Sequence, residues 1–228
     1  MTGSRSVAVM LTMCAAKLWA HDVITTKVTF DREIVRLFNA HCNSCHREGG
    51  TAFSLTTYKD ARPWAKAIEE EVLQRRMPPW GAVKGFGDFR NDLGLTAEQL
   101  ELITDWEEGG APEGEAKDLP APPKITPVAA VRPSSVGIAV SGDLKLPRPL
   151  KLDGLFPKSI PDGASFQVTA ELPDGSIEPL LWLETYRKAF EHPFLLRKPM
   201  DLPAGTLIRG VPKEAVISLL PAAPHRKK

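Results

Sequence analysis

Phe38-Asn39-Ala40-His41-Cys42-Asn43-Ser44-Cys45-His46-Arg47 is the stretch on which the reading of the chain turns. Two thiols on one short turn can each form a thioether to a haem vinyl group. The imidazole that follows them, His46, can then serve as proximal ligand to the iron. A bare C-x-x-C also serves zinc sites and thioredoxin-like redox sites. Zinc would need a second ligand pair, and no cysteine lies beyond Cys45. A redox site of that kind would need βαβ surroundings. Here Phe30, Ile34, Leu37 and Phe38 recur at helical spacing instead. The expected cofactor is one covalent haem c, with Cys42 and Cys45 as thioether donors and His46 on the iron.

Working outward, residues 21–29 predict an extended lead-in, and Asp31 with Glu33 predicts the start of a helix that runs into the motif. Gly49-Gly50 breaks the chain after it. Thr57 with Asp60, then Pro63, predicts a second helix start. Trp64, Ile68 and Val72 form its apolar face. That helix must stop at Met77-Pro78-Pro79-Trp80, where two prolines impose an extended turn. A thioether held there suits a sixth iron ligand, and beyond residue 20 the only methionines are Met77 and Met200. Met77 is the expected distal ligand. Trp80 is expected to line the haem or to pack structurally. Residues 81–94 read as a loop. Thr96 and Gln99 predict a capping box with Leu95 and Leu100 as its staple, opening a helix with Leu100, Ile103 and Trp106 inward and Gly109-Gly110 at its end.

Three helices around such a motif imply a small all-α unit of the class I cytochrome c kind. Residues 29–114 also resemble the cytochrome c-type domain of exported bacterial proteins. The resemblance is carried by His41-Cys42-Asn43-Ser44-Cys45-His46-Arg47-Glu48-Gly49-Gly50, Ala61-Arg62-Pro63-Trp64-Ala65, Arg76-Met77-Pro78-Pro79-Trp80 and Gly109-Gly110-Ala111-Pro112. It implies attachment at Cys42 and Cys45, proximal ligation by His46 and a methionine-turn role for Met77. In such proteins this domain often precedes a module like the copper type II, ascorbate-dependent monooxygenases. Residues 184–206 resemble part of the β-half of that module. Its copper chemistry is not expected here, because this region has only His192 and His225 and no H-x-H pair.

Past residue 112 the pattern changes. Residues 113–127 are rich in proline, alanine and charge and read as a linker. Phe166, Val168, Ala170 and Leu172 then alternate with polar neighbours. Pro173-Asp174-Gly175-Ser176 marks a turn, and residues 177–183 supply the returning strand. Shorter strands are expected at 136–140, 194–197, 206–211 and 216–219. The expected fold class is therefore multidomain, α then β: a haem domain over 21–112, a linker over 113–127, and a small β-sandwich over 128–228.

Residues 1–20 read as a secretory signal, with Arg5 before an apolar run over 7–16 and Ala20 near the cut. That run is too short to span a bilayer, and Cys14 leaves with it. The expected location is periplasmic or otherwise exported. Lysine and arginine number 29 against 28 acidic residues, so nothing in the composition favours nucleic acid. The function expected is single-electron transfer to a redox partner protein, with no catalytic residue and no membrane span after cleavage. The alternative is an open sixth site, as in a haem peroxidase, an oxidase subunit or a haem-based sensor.

Overall fold

The computed structural model describes residues 26–122 and 137–223. The signal expected over 1–20, residues 21–25 of the lead-in, residues 123–127 of the linker and the tail with His225 lie outside the described residues.

Thr29 is extended, and its N–H donates to the Glu33 carboxylate at 2.9 Å, so the cap of the first helical segment lies two residues before the expected Asp31. A wide π-type turn, Phe30–Ile34, passes into α1, Val35–His41. The Thr57 hydroxyl caps α2, Tyr58–Ala61, by accepting from the Asp60 N–H at 3.2 Å. A 3₁₀ turn containing Pro63, Arg62–Trp64, joins it to α3, Ala65–Leu73. The capping box forms on both sides at Thr96 and Gln99 and opens α4, Ala97–Glu108, which Gly109 ends. These segments share one apolar cluster built on Phe30, Ile34, Phe38, Ile103 and Trp106, all at most 1% exposed. The Trp106 indole N–H donates to the Pro112 carbonyl at 3.0 Å, which satisfies the one polar atom the ring would otherwise bury unpaired.

The C-terminal strands form two four-stranded antiparallel sheets around a second core. The first sheet has the order β1 (Ile138–Val140), β8 (Val216–Pro221), β3 (Leu150–Ser159), β6 (Phe194–Leu202). The second has the order β2 (Leu144–Lys145), β7 (Leu207–Arg209), β4 (Phe166–Glu171), β5 (Ile177–Leu183). Leu152, Leu155 and Leu219 from one sheet and Val168, Leu181 and Ile208 from the other belong to the same core and are fully buried.

The loop expected over 81–94 joins this sandwich. Ala82 bridges to Leu183 on β5, and Phe89 bridges to Leu196 on β6. Each of those strands is the edge of its sheet, so one segment pairs with an edge of both. Backbone bonds from Val83 N to Trp182 O (2.9 Å), Glu184 N to Gly81 O (2.9 Å), Arg90 N to Leu195 O (2.8 Å) and Arg197 N to Asp88 O (2.8 Å) fix the register. Arg90 adds a two-pronged pair with the Asp153 carboxylate at 3.0 and 2.8 Å. Trp80 and Phe89, both 4% exposed, are buried in the sandwich core.

The expected fold class is corrected here. The described chain is mostly β, its helices run to twelve residues at most, and a small all-α cytochrome c domain is not shown. The physical reason is the 80–93 strap. It spends Trp80 and Phe89, which lie between α3 and α4, on the sandwich core and not on the helical cluster. The start of the expected linker is also ordered against the helices: Asp31 N donates to Glu113 O at 2.8 Å, and Arg36 donates to Asp118 O at 3.0 Å.

Candidate functional site

The turn that carries the motif hangs on the end of α1. Cys42 N and Asn43 N both donate to Phe38 O at 2.8 Å, and His46 N returns to Cys42 O at 2.9 Å. One tight loop therefore presents Cys42, Cys45 and His46 together. Both thiols are free, with Cys45 exposed and Cys42 packed against the helical cluster. Burial pushes the Cys42 thiol up to about 12, with the Cys45 thiol beside it adding to the effect, so it stays protonated at neutral pH. Asn43, between them, is fully buried. Its amide donates to Asn39 Oδ1 at 2.8 Å, and its own Oδ1 has no partner among the described residues.

His46 Nδ1 lies 3.1 Å from the Phe53 carbonyl. A carbonyl only accepts, so Nδ1 carries the proton and Nε2 keeps its lone pair. That is the arrangement in which a ligating histidine is oriented by its second nitrogen. Phe53 also sets its ring edge-on to the imidazole at 5.0 Å and packs on Trp64 at 4.6 Å. His41, one residue before the cysteines, ties the turn to the rest of the molecule. Its Nδ1 lies 3.1 Å from the Leu93 carbonyl and its Nε2 lies 3.1 Å from the Gln99 side-chain nitrogen. The motif is thus anchored both to the strap and to the first turn of α4.

Met77 sits just past α3, half-buried against the same helical cluster as Cys42. It lines a cavity of about 390 Å³. The lining includes Val72, Leu95 and Leu100 from the helical part and Tyr186, Arg187 and His192 from the sandwich, but not Cys42, Cys45 or His46. Met77 and the motif therefore share a packing cluster but not a cavity wall. Trp80 lies on that lining too, yet its ring neighbours are His192 at 5.0 Å, Phe194 at 5.0 Å and Phe89 at 5.7 Å, an aromatic group of the sandwich core.

The residues present fit a covalent haem. They offer two free thiols and an imidazole whose Nε2 is left available, on one turn, with a thioether against the same cluster. No group of three His, Cys, Asp or Glu that could hold a metal ion is found among the described residues, the motif turn included. His192 packs between Trp80 and Phe194, and burial holds its imidazole below the usual histidine range. What the sequence reading missed is this sandwich side of the cavity. Its residues are more than a hundred positions from Met77, and no local pattern marks such a pairing. No helix among the described residues is long and apolar enough to cross a membrane. The chain matches no protein-family model, no characterised protein and no solved structure.

Proposed function

We propose that the chain is an exported c-type cytochrome that passes single electrons to a partner protein. The supporting observation is the His46 ring, held through Nδ1 by the Phe53 carbonyl at 3.1 Å on the turn that carries two free thiols. Cys42 and Cys45 would hold one haem by thioether bonds, His46 Nε2 would be the proximal ligand, and Met77 would be the second. When bound, the haem supplies a one-electron couple. The chain's own residues do the rest: the thioethers prevent loss outside the cell, and a histidine–methionine pair saturates the iron and favours a relatively high potential. Export rests on the reading of residues 1–20, and the kinship with cytochrome c-type proteins rests on the motifs quoted above.

A second reading, an enzyme or sensor with an open sixth site, draws on one observation: Met77 faces a cavity whose lining does not include His46. An absorption spectrum of the ferric protein, matured in a host with c-type haem attachment, separates the two. A sulfur-to-iron charge-transfer band in the parent, lost in Met77→Ala, is the expected result. A high-spin parent spectrum unchanged by that substitution means an open iron and overturns electron transfer as the function.

A further inference from the structure

The cavity of about 390 Å³ beside Met77 has the volume of a small-molecule site. Both halves of the chain build it. Val72, Leu95 and Leu100 line it with aliphatic groups from the helical part, and Tyr186, Phe190 and His192 line it with rings from the sandwich. None of Cys42, Cys45 and His46 reaches it, so it is a place apart from the motif turn. Its rim carries charges of both signs. Arg76 is engaged with Glu71 and Lys84 with Asp92, while Arg75, Arg187 and Glu184 are exposed and form no ion pair among the described residues. Exposed charges of mixed sign are screened by water and select for no net charge in what enters.

Two residues of the sandwich wall define the chemistry. Tyr186 is 4% exposed, and its hydroxyl has no partner among the described residues; nor has His192 Nε2. Buried polar groups are nearly always satisfied, so each of these calls for one. His192 Nδ1 lies 2.7 Å from the Phe190 carbonyl, which can only accept, so Nδ1 carries the proton. Burial holds this imidazole below the usual histidine range, and Nε2 is left as a neutral acceptor. Burial, aided by the carboxylates of Glu191 and Asp162, pushes the Tyr186 hydroxyl up to about 12, so it keeps its proton and can donate. One acceptor and one donor are both answered by a hydroxyl group, which gives one hydrogen bond and receives others. Backbone strain gathers at the same place: Arg75 (φ 54°) and Thr185 (φ 47°) both line the cavity, and for a β-branched threonine that conformation persists only where the surroundings impose it.

We propose that the cavity is a binding site for a small uncharged hydroxylated aromatic, of the phenol or hydroquinone class, whose ring lies among the apolar and aromatic side chains and whose hydroxyl is bonded by Tyr186 and His192. The helical part supplies apolar surface and the sandwich supplies recognition, which gives the β-half a role of its own. The inference does not depend on the haem reading, because the two sites share no residue of the motif turn.

The test titrates the full chain with phenol, hydroquinone, toluene and benzoate and follows binding by nuclear magnetic resonance. Toluene has the shape of phenol without its hydroxyl, and benzoate adds a charge. Phenol is expected to bind about tenfold more tightly than either, since a site built to bond a hydroxyl leaves its own polar atoms unpaired with the analogue that lacks one. Tyr186→Phe keeps the ring and removes only the donor, so it should weaken phenol about tenfold and leave toluene unchanged. His192→Leu should act in the same direction. Tyr58→Phe, at a tyrosine that bonds the Ala111 carbonyl and does not line the cavity, should bind phenol as the parent does. Toluene binding as tightly as phenol, or parent affinity for phenol in Tyr186→Phe, overturns the inference. Tighter binding of benzoate overturns it in favour of an anion site at Arg75 and Arg187. Absence of saturable binding by both phenol and hydroquinone overturns it outright.

Discussion

Replacing Phe89 by alanine tests whether the strap is part of the sandwich. By position Phe89 belongs with the helices, yet it is 4% exposed and its ring lies 5.7 Å from Trp80 and 5.8 Å from Phe194. Truncating a buried phenylalanine removes its transfer free energy and leaves a cavity that its neighbours only partly fill. A loss of about 4 kcal/mol, divided by a urea slope of about 2 kcal/mol per M, lowers the unfolding midpoint by about 2 M. The assay is urea unfolding followed by tryptophan fluorescence and far-ultraviolet circular dichroism, with Phe53→Ala as comparison. Phe53 is 49% exposed, so its truncation is expected to cost about 1 kcal/mol. If Phe89→Ala costs about 0.5 kcal/mol or less, the size of an ordinary surface change, the strap does not belong to the core and the argument built on it fails.

Four further outcomes are expected. Thr96→Ala removes half of the capping box and should cost about 1 kcal/mol by thermal unfolding. Gln99→Ala should cost at least as much, because it also leaves His41 Nε2 without its neighbour. Gly50→Ala should sharply lower the fraction of chains that carry haem, read by mass, since a Cβ there would run into the Cys45 and Arg47 carbonyls of the motif turn; Gly49→Ala meets no neighbour and should suffer only from its positive φ. His192 supplies a pH dependence. Its folded value lies below the ordinary 6.5 because it is buried, so below that pH the unfolded chain takes up a proton that the folded chain refuses. Stability is therefore expected to fall as pH drops from about 6.5 toward the folded value, and His192→Leu should flatten that part of the curve. An unchanged slope in His192→Leu would assign the acid sensitivity to other groups.

What could be read from the sequence is what depends on neighbours along the chain. The motif turn, the Thr57 and Thr96 caps and the glycine stop after α4 are each set by a few adjacent residues, and each forms as its residue types require. The hairpin over 166–183 shows the same legibility, since alternation and a turn signal coincide there. β3 was missed although it pairs on both sides at the centre of its sheet. Asp153-Gly154 interrupts its alternation at a register shift, and Pro157 removes a ladder donor. Gly154 is required because a Cβ would meet the Phe194 carbonyl at 2.5 Å, a constraint that exists only once β6 is in place. The same holds for the strap. Its three glycines read as a loop, and nothing local reveals that sheet edges a hundred residues later will claim it. Of the residues expected to hold haem, Cys42, Cys45 and His46 share one turn, whereas the cavity beside Met77 acquires part of its wall from sequence that no pattern connects to it.

The strap also sets an order of events during synthesis. Arg90 bonds to Leu196 across 106 positions and Arg197 to Asp88 across 109, so the pairings that hold it are among the most distant in the chain. Until the last third of the protein has been made, Trp80 and Phe89 have nowhere to go. The helical part must wait with two large aromatic rings in water, and contacts of such long range form slowly. Any apparatus that joins a group to Cys42 and Cys45 during this interval would meet them on a chain whose sandwich is still incomplete. A chain cut short before β6 would carry the motif yet leave Trp80 and Phe89 without the strand edge and the Phe194 ring they pack against.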